Sequence, residues 1–138
     1  MLGIDPSSEM LKRALPKVAL HEDRFAVRHV ENPFAHLPLD DQRFDIVVTA
    51  YTIHHLDEDA KRAAVQGMQA SLRPGGRIVV ADTMFRDREH KQEALAAHAD
   101  LEDEYQPLLS TFPDMFRAKG LEVTLRQIGE LVWVLVAR

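Results

Sequence analysis

His54 and His55 stand side by side in the segment Tyr51-Thr52-Ile53-His54-His55-Leu56. Imidazole is the side chain best suited to moving a proton near neutral pH, and it is the commonest metal ligand. The pair therefore suggests either a base or a metal site. Adjacent residues on a turn project in different directions, and no third ligand stands at a suitable spacing, so no metal is expected. Proton transfer remains, or hydrogen bonds that hold the turn. The chain has no cysteine, which excludes a disulfide, a thiolate zinc site and a cysteine nucleophile. Four further polar groups each follow an apolar run: Asp5, Glu31-Asn32, Thr49-Ala50-Tyr51 and Asp82-Thr83.

The apolar runs read as strands, with helices between them. Leu2-Gly3-Ile4 is the end of a strand. Asp5-Pro6-Ser7-Ser8 then starts a helix, with Ser7 or Ser8 as its N-cap. Met10, Leu11, Ala14, Leu15 and Val18 form its apolar stripe, and Pro16 should kink or end it. Residues 24–30 alternate in polarity, as a half-buried strand does. Residues 32–43, with Pro33 and Pro38, form a loop. Residues 45–50 are a β-branched run of the kind covered on both faces.

His55-Leu56-Asp57-Glu58-Asp59 opens the next helix, its acidic first turn matching the helix dipole. Ala60, Ala64, Met68 and Leu72 build its apolar face, with Val65 beside them. Pro74-Gly75-Gly76 ends that helix and turns the chain into a strand over 77–82. A charged helix is expected from Asp87 to about Tyr105, with Leu95, Ala96, Ala99 and Leu101 inward. Its charges read as a solvated face. Pro113 precedes a short helix over 114–119, stopped by Gly120. Two closing strands, 121–126 and 131–136, flank Gly129-Glu130 and read as an antiparallel hairpin.

Strands alternating with helices and closed by a hairpin point to an open α/β sheet. Ligands of such sheets sit beyond the C-terminal ends of the parallel strands, where the four polar groups fall. The 138 residues suit one domain, and 46% hydrophobic with 28% charged residues places the chain in the globular class. A net charge of −5 argues against a nucleic-acid partner, because phosphate binding needs a concentrated Lys/Arg face. A small-molecule substrate fits better. The longest apolar stretch, 131–137, is too short to span a bilayer. No membrane partner is expected. The N-terminus lacks a basic region followed by an apolar run, so no secretory leader is expected. The absence of cysteine fits a cytoplasmic location.

Four segments, in this order, carry a resemblance. Gly3-Ile4-Asp5-x-Ser7-x-x-Met10-Leu11 is similar to the segment after the glycine loop of class I S-adenosylmethionine-dependent methyltransferases. Phe44-Asp45-Ile46-Val47-Val48 with Tyr51-x-x-His54-His55-Leu56 resembles their fourth strand and the turn after it. Leu72-Arg73-Pro74-Gly75-Gly76 through Asp82 resembles the helix end, turn and fifth strand that follow. Gly120-Leu121-x-Val123 and Trp133-Val134 resemble the last hairpin. The likeness runs from end to end and is closest to small bacterial members acting on small molecules.

The resemblance implies a Rossmann-like class I methyltransferase sheet with a C-terminal antiparallel hairpin. It implies S-adenosylmethionine as cofactor, and Asp5, Glu31, Asn32, Ala50 and Tyr51 as the residues that touch it. A carboxylate at the end of the second strand can accept hydrogen bonds from both ribose hydroxyls of adenosine. Asp5 holds that position, or it caps the helix. Glu31 and Asn32 fall near the adenine amino group in the family pattern, although the family often has Asp there. They also suit an ordinary loop. Tyr51 either borders the transfer site or is a core aromatic with a wet tip. Asp82 either faces substrate or, the favoured reading, caps a turn.

The family also has a first strand and a glycine-rich turn ahead of the position of Asp5, and this chain starts beyond them. It is expected to be an N-terminally truncated, incomplete methyltransferase-like domain. In the family that strand lies at the centre of the sheet. Three explanations stay open: a fragment of a longer enzyme, a homodimer whose second copy fills the gap, or a scaffold that binds something else.

Overall fold

A computed structural model describes residues 1–21, 23–31, 33, 42–98 and 103–138. The chain forms two compact units, 1–38 and 39–138.

In the first unit, β1 (Leu2–Asp5) pairs in parallel with β2 (Ala26–His29), in a register that sets Asp5 opposite His29. Helix α1 (Ser8–Val18) joins them, followed by a 3-10 turn, Ala19–His21. Ser7 is the N-cap, its Oγ accepting from the Met10 N–H at 3.3 Å. Pro16 does not end the helix, which runs on to Val18. Proline removes one backbone donor, and so close to the C-terminus only one intrahelical bond is lost. The expected stripe is thin. Leu11, Ala14 and Val18 are half-buried, while Met10 and Leu15 are exposed.

In the second unit, β3 (Phe44–Ala50), β4 (Leu72–Thr83), β5 (Val123–Gln127) and β6 (Val132–Ala137) form one sheet in the order β3-β4-β6-β5. β3 and β4 are parallel. β6 runs antiparallel to both β4 and β5, so the hairpin expected around Gly129-Glu130 forms. Helix α2 (Glu58–Ala70) crosses between β3 and β4, capped by Asp57, which accepts from the Ala60 N–H at 2.8 Å. Its buried face is Lys61, Ala64, Val65 and Met68, while Leu72 already belongs to β4. Lys61 is the unexpected member. Its stem packs inward and its Nζ donates to Glu58 Oε1 at 2.8 Å.

The Pro-Gly-Gly turn lies inside β4 rather than ahead of it. Phe44 pairs with Leu72 and Ile46 with Arg77, two steps along β3 against five along β4. The excess is taken up around Pro74-Gly75-Gly76, where Gly75 adopts φ +78°. A Cβ at Gly76 would lie 3.0 Å from the Arg73 carbonyl and 3.1 Å from that of Asp45.

β3 is not covered on both faces. Ile46 and Val48 are 42% and 65% exposed, while Phe44, Val47 and Thr49 are half-buried. β-Branched residues specify an extended backbone, but coverage depends on which layers pack there, and β3 stands at the end of its sheet.

Helix α3 (Arg88–Ala97) is shorter than the charge pattern suggests, with Asp87 as N-cap. Ala94 is its buried residue, Leu95 is half-buried and Ala96 is exposed. Ala99 and Leu101 lie outside the described residues. Helix α4 (Phe112–Arg117) begins two residues early, taking Pro113 into its first turn, where a missing N–H costs nothing. The core of this unit joins Ile53, Ile78, Val80, Met84, Phe85, Phe112, Phe116 and Leu135. Among the described residues, no helix is long and apolar enough to cross a membrane.

Candidate functional site

Because β3 and β4 run in parallel, their C-terminal ends share one rim, occupied by Tyr51 and Asp82. The Tyr51 N–H donates to the Ala81 carbonyl at 2.9 Å. Tyr51 has φ +50°, the only non-glycine residue with positive φ among those described, and its side chain is exposed. Left-handed backbone costs a non-glycine residue about 1–2 kcal/mol. Strain of this kind collects at functional sites. Tyr51 is therefore not a core aromatic.

The chain then tightens into a 3-10 turn, Ile53–His55, held from below by Asp82. Asp82 is fully buried. Its Oδ2 accepts from the backbone N–H groups of Thr52, Ile53 and His54 at 3.2, 2.8 and 3.3 Å. Its Oδ1 accepts from the Thr83 N–H at 2.8 Å and meets His54 Nδ1 at 2.6 Å. Capping, the reading favoured from its place at a strand end, is what Asp82 does. A carboxylate in this setting only accepts, which assigns the hydrogen of that contact to Nδ1 and leaves Nε2 facing outward.

Nε2 of His54 lies 3.5 Å from Glu104 Oε2, and Nδ1 of His55 lies 2.9 Å from Glu104 Oε1. The two imidazole rings are 4.0 Å apart between centroids. His54 is mostly buried and His55 exposed. Spacing along the chain does not reveal Glu104, which is 49 residues beyond His55. Tertiary structure delivers it. The Tyr105 N–H donates to the His54 carbonyl at 2.9 Å, and Phe85 bridges Leu108 through Pro107 and Leu109 at 3.1 and 2.7 Å. Lys91 fastens the same segment, its Nζ donating to the Glu104 carbonyl and pairing with Asp103 Oδ1 at 2.8 Å.

In the first unit, Asp5 ends β1 and is half-buried. One of its carboxylate oxygens accepts from the Ser7 N–H at 2.7 Å. It shapes the entry to α1, while Ser7 supplies the cap. Glu31 is exposed, two residues past the end of β2. Asp5 and Glu31 thus share the C-terminal rim of the β1–β2 pair. Asn32 lies outside the described residues. In the second unit, Ala50 is exposed and its carbonyl accepts from Thr52 Oγ1 at 2.9 Å, next to Tyr51.

A family model described as a methyltransferase domain matches residues 1–76. An uncharacterized methyltransferase of Oceanobacillus iheyensis is 29% identical over all of this chain and 66% of its own length. Another, of Geobacillus thermodenitrificans, is 34% identical over 98% of this chain and 65% of its own. The chain therefore spans just under two thirds of these relatives. The solved DhpI-SAM-HEP complex superposes with a TM-score of 0.77 at 18% identity, covering 99% of this chain and 67% of the other. That likeness shows a Rossmann-like α/β fold.

Proposed function

This chain belongs to the methyltransferase-domain family, and we propose that it serves S-adenosylmethionine-dependent methyl transfer to a small-molecule acceptor. The observation that carries the reading is Tyr51, strained and exposed where the parallel pair β3–β4 ends. In the first unit, Asp5 offers a carboxylate to ribose hydroxyls and Glu31 one to the base, while Asn32 is carried over from the family pattern alone. For the second unit, the family resemblance offers Ala50 and Tyr51 as cofactor contacts. When bound, the cofactor supplies an activated methyl on a good leaving group. The chain's own task is to hold an acceptor in line and exclude water. A base is needed only for an acceptor that arrives protonated. With no cation on its Nε2, His54, oriented by Asp82, is the group on this rim suited to take that proton. A cysteine-free chain suits the cytoplasm.

Calorimetric titration with S-adenosylmethionine and S-adenosylhomocysteine tests the reading. Binding that is lost in Asp5→Ala supports it, and a folded chain that binds neither rejects it for this polypeptide.

A second reading, a non-catalytic scaffold that pairs with another copy, is favoured by one observation. β3 has β4 as its only neighbour among the described residues and exposes Ile46 and Val48. A monodisperse monomer by light scattering would count against it.

A further inference from the structure

We propose that His54, His55 and Glu104 form a binding site for a divalent d-block cation of the zinc type. One donor atom from each of these three residues falls within 4.8 Å of the others. Zinc bonds of about 2.0–2.1 Å place neighbouring donors roughly 3.3 Å apart in a tetrahedron. Glu104 Oε2 lies 3.5 Å from His54 Nε2 and its Oε1 lies 2.9 Å from His55 Nδ1, so the carboxylate turns one oxygen toward each imidazole. Adjacent histidines ordinarily diverge, but the 3-10 turn brings these rings to 4.0 Å at a tilt of 58°.

The surroundings resemble those of a metal site. Asp82 engages Nδ1 of His54, which fixes the ring and leaves Nε2 directed at Glu104. Carboxylate–histidine pairs of this kind orient metal ligands. A lone pair on Nε2 facing a carboxylate is repulsive unless a hydrogen or a cation lies between them. Among the described residues, Lys91 is the lysine that contacts this segment, and it is held by Asp103 and the Glu104 carbonyl. Two imidazoles and one carboxylate favour zinc, cobalt or nickel over magnesium or calcium, which prefer oxygen donors. Three protein ligands leave room for a water or an acceptor oxygen.

The inference does not rest on the proposed methyl transfer, and its test contains no cofactor. The tag-free chain, stripped with a chelator, is titrated with zinc chloride by calorimetry and with cobalt(II) by visible absorption. The expected result is one equivalent bound, with cobalt bands of a low-coordinate site. His55→Ala and Glu104→Gln should each weaken binding tenfold or more at unchanged circular dichroism, while His90→Ala and His98→Ala leave it unchanged. A folded wild-type chain that takes up no stoichiometric ion would overturn the proposal. So would binding that survives both His55→Ala and Glu104→Gln, since the ion would then lie elsewhere.

Discussion

Asp82 holds His54 twice, by its backbone N–H and by its imidazole at 2.6 Å, and so sets both the turn and the ring. Asp82→Ala strips the acceptor from four backbone N–H groups and the imidazole. It should destabilise the chain by about 3 kcal/mol or more, read as a lower urea midpoint. Asp82→Asn is the informative partner. Its amide oxygen can still accept from the Thr52–His54 backbone, while its NH2 group meets His54 Nδ1. The expected outcome is a folded chain with the hydrogen of His54 moved to Nε2, seen as a tautomer change in nitrogen-detected NMR.

Tyr51→Gly removes the penalty of positive φ. The variant should be as stable as wild type or more so, by up to about 1 kcal/mol, in thermal unfolding. Under the proposed function it should also bind S-adenosylhomocysteine more weakly. Stability and binding moving in opposite directions would mark Tyr51 as a site residue, and unchanged binding would assign its strain to turn geometry alone.

Gly76→Ala drives a methyl against two backbone carbonyls, which move far less readily than side chains. A loss of about 1–3 kcal/mol is expected in denaturant unfolding, as for overpacked interiors.

Phe112 and Phe116 meet edge to face at 5.2 Å and are essentially inaccessible to solvent. Phe116→Ala should cost about 3–5 kcal/mol, and Phe116→Leu much less, in the same assay.

Asp57→Ala leaves the first turn of α2 without its side-chain acceptor. A decrease of about 1 kcal/mol is expected, and Asp57→Ser should recover most of it.

What was legible in the sequence follows from which forces act locally. The strands are written in apolar runs, the hairpin in the Gly129-Glu130 break between two of them, and the starts of α1 and α2 in Ser7-Ser8 and the acidic stretch 57–59. Asp82 as a capping acid could be read from its place after an apolar run. Glu104 could not, because it reaches His54 and His55 through long-range contacts: the Tyr105–His54 bond, the Phe85–Leu108 bridge and Lys91. The bare face of β3 was equally hidden, since Ile46 and Val48 have the composition of a buried strand. The end of α3 at Ala97 was hidden as well, because a run of charged residues specifies a solvated surface without fixing where a helix stops.

The Pro74-Gly75-Gly76 excursion doubles as a ruler. Successive side chains of a strand face opposite ways, and Ile78, Val80 and Asp82 now share the buried side. The excursion seats only where Gly75 can take a positive φ and Gly76 can approach the Asp45 carbonyl. The rest of β4 is thereby counted out from that point, and Asp82 arrives beneath a turn 28 to 30 positions earlier in the chain. A single deletion among residues 73–76 would force a choice between that seat and the pairing that keeps the carboxylate under the histidine it orients.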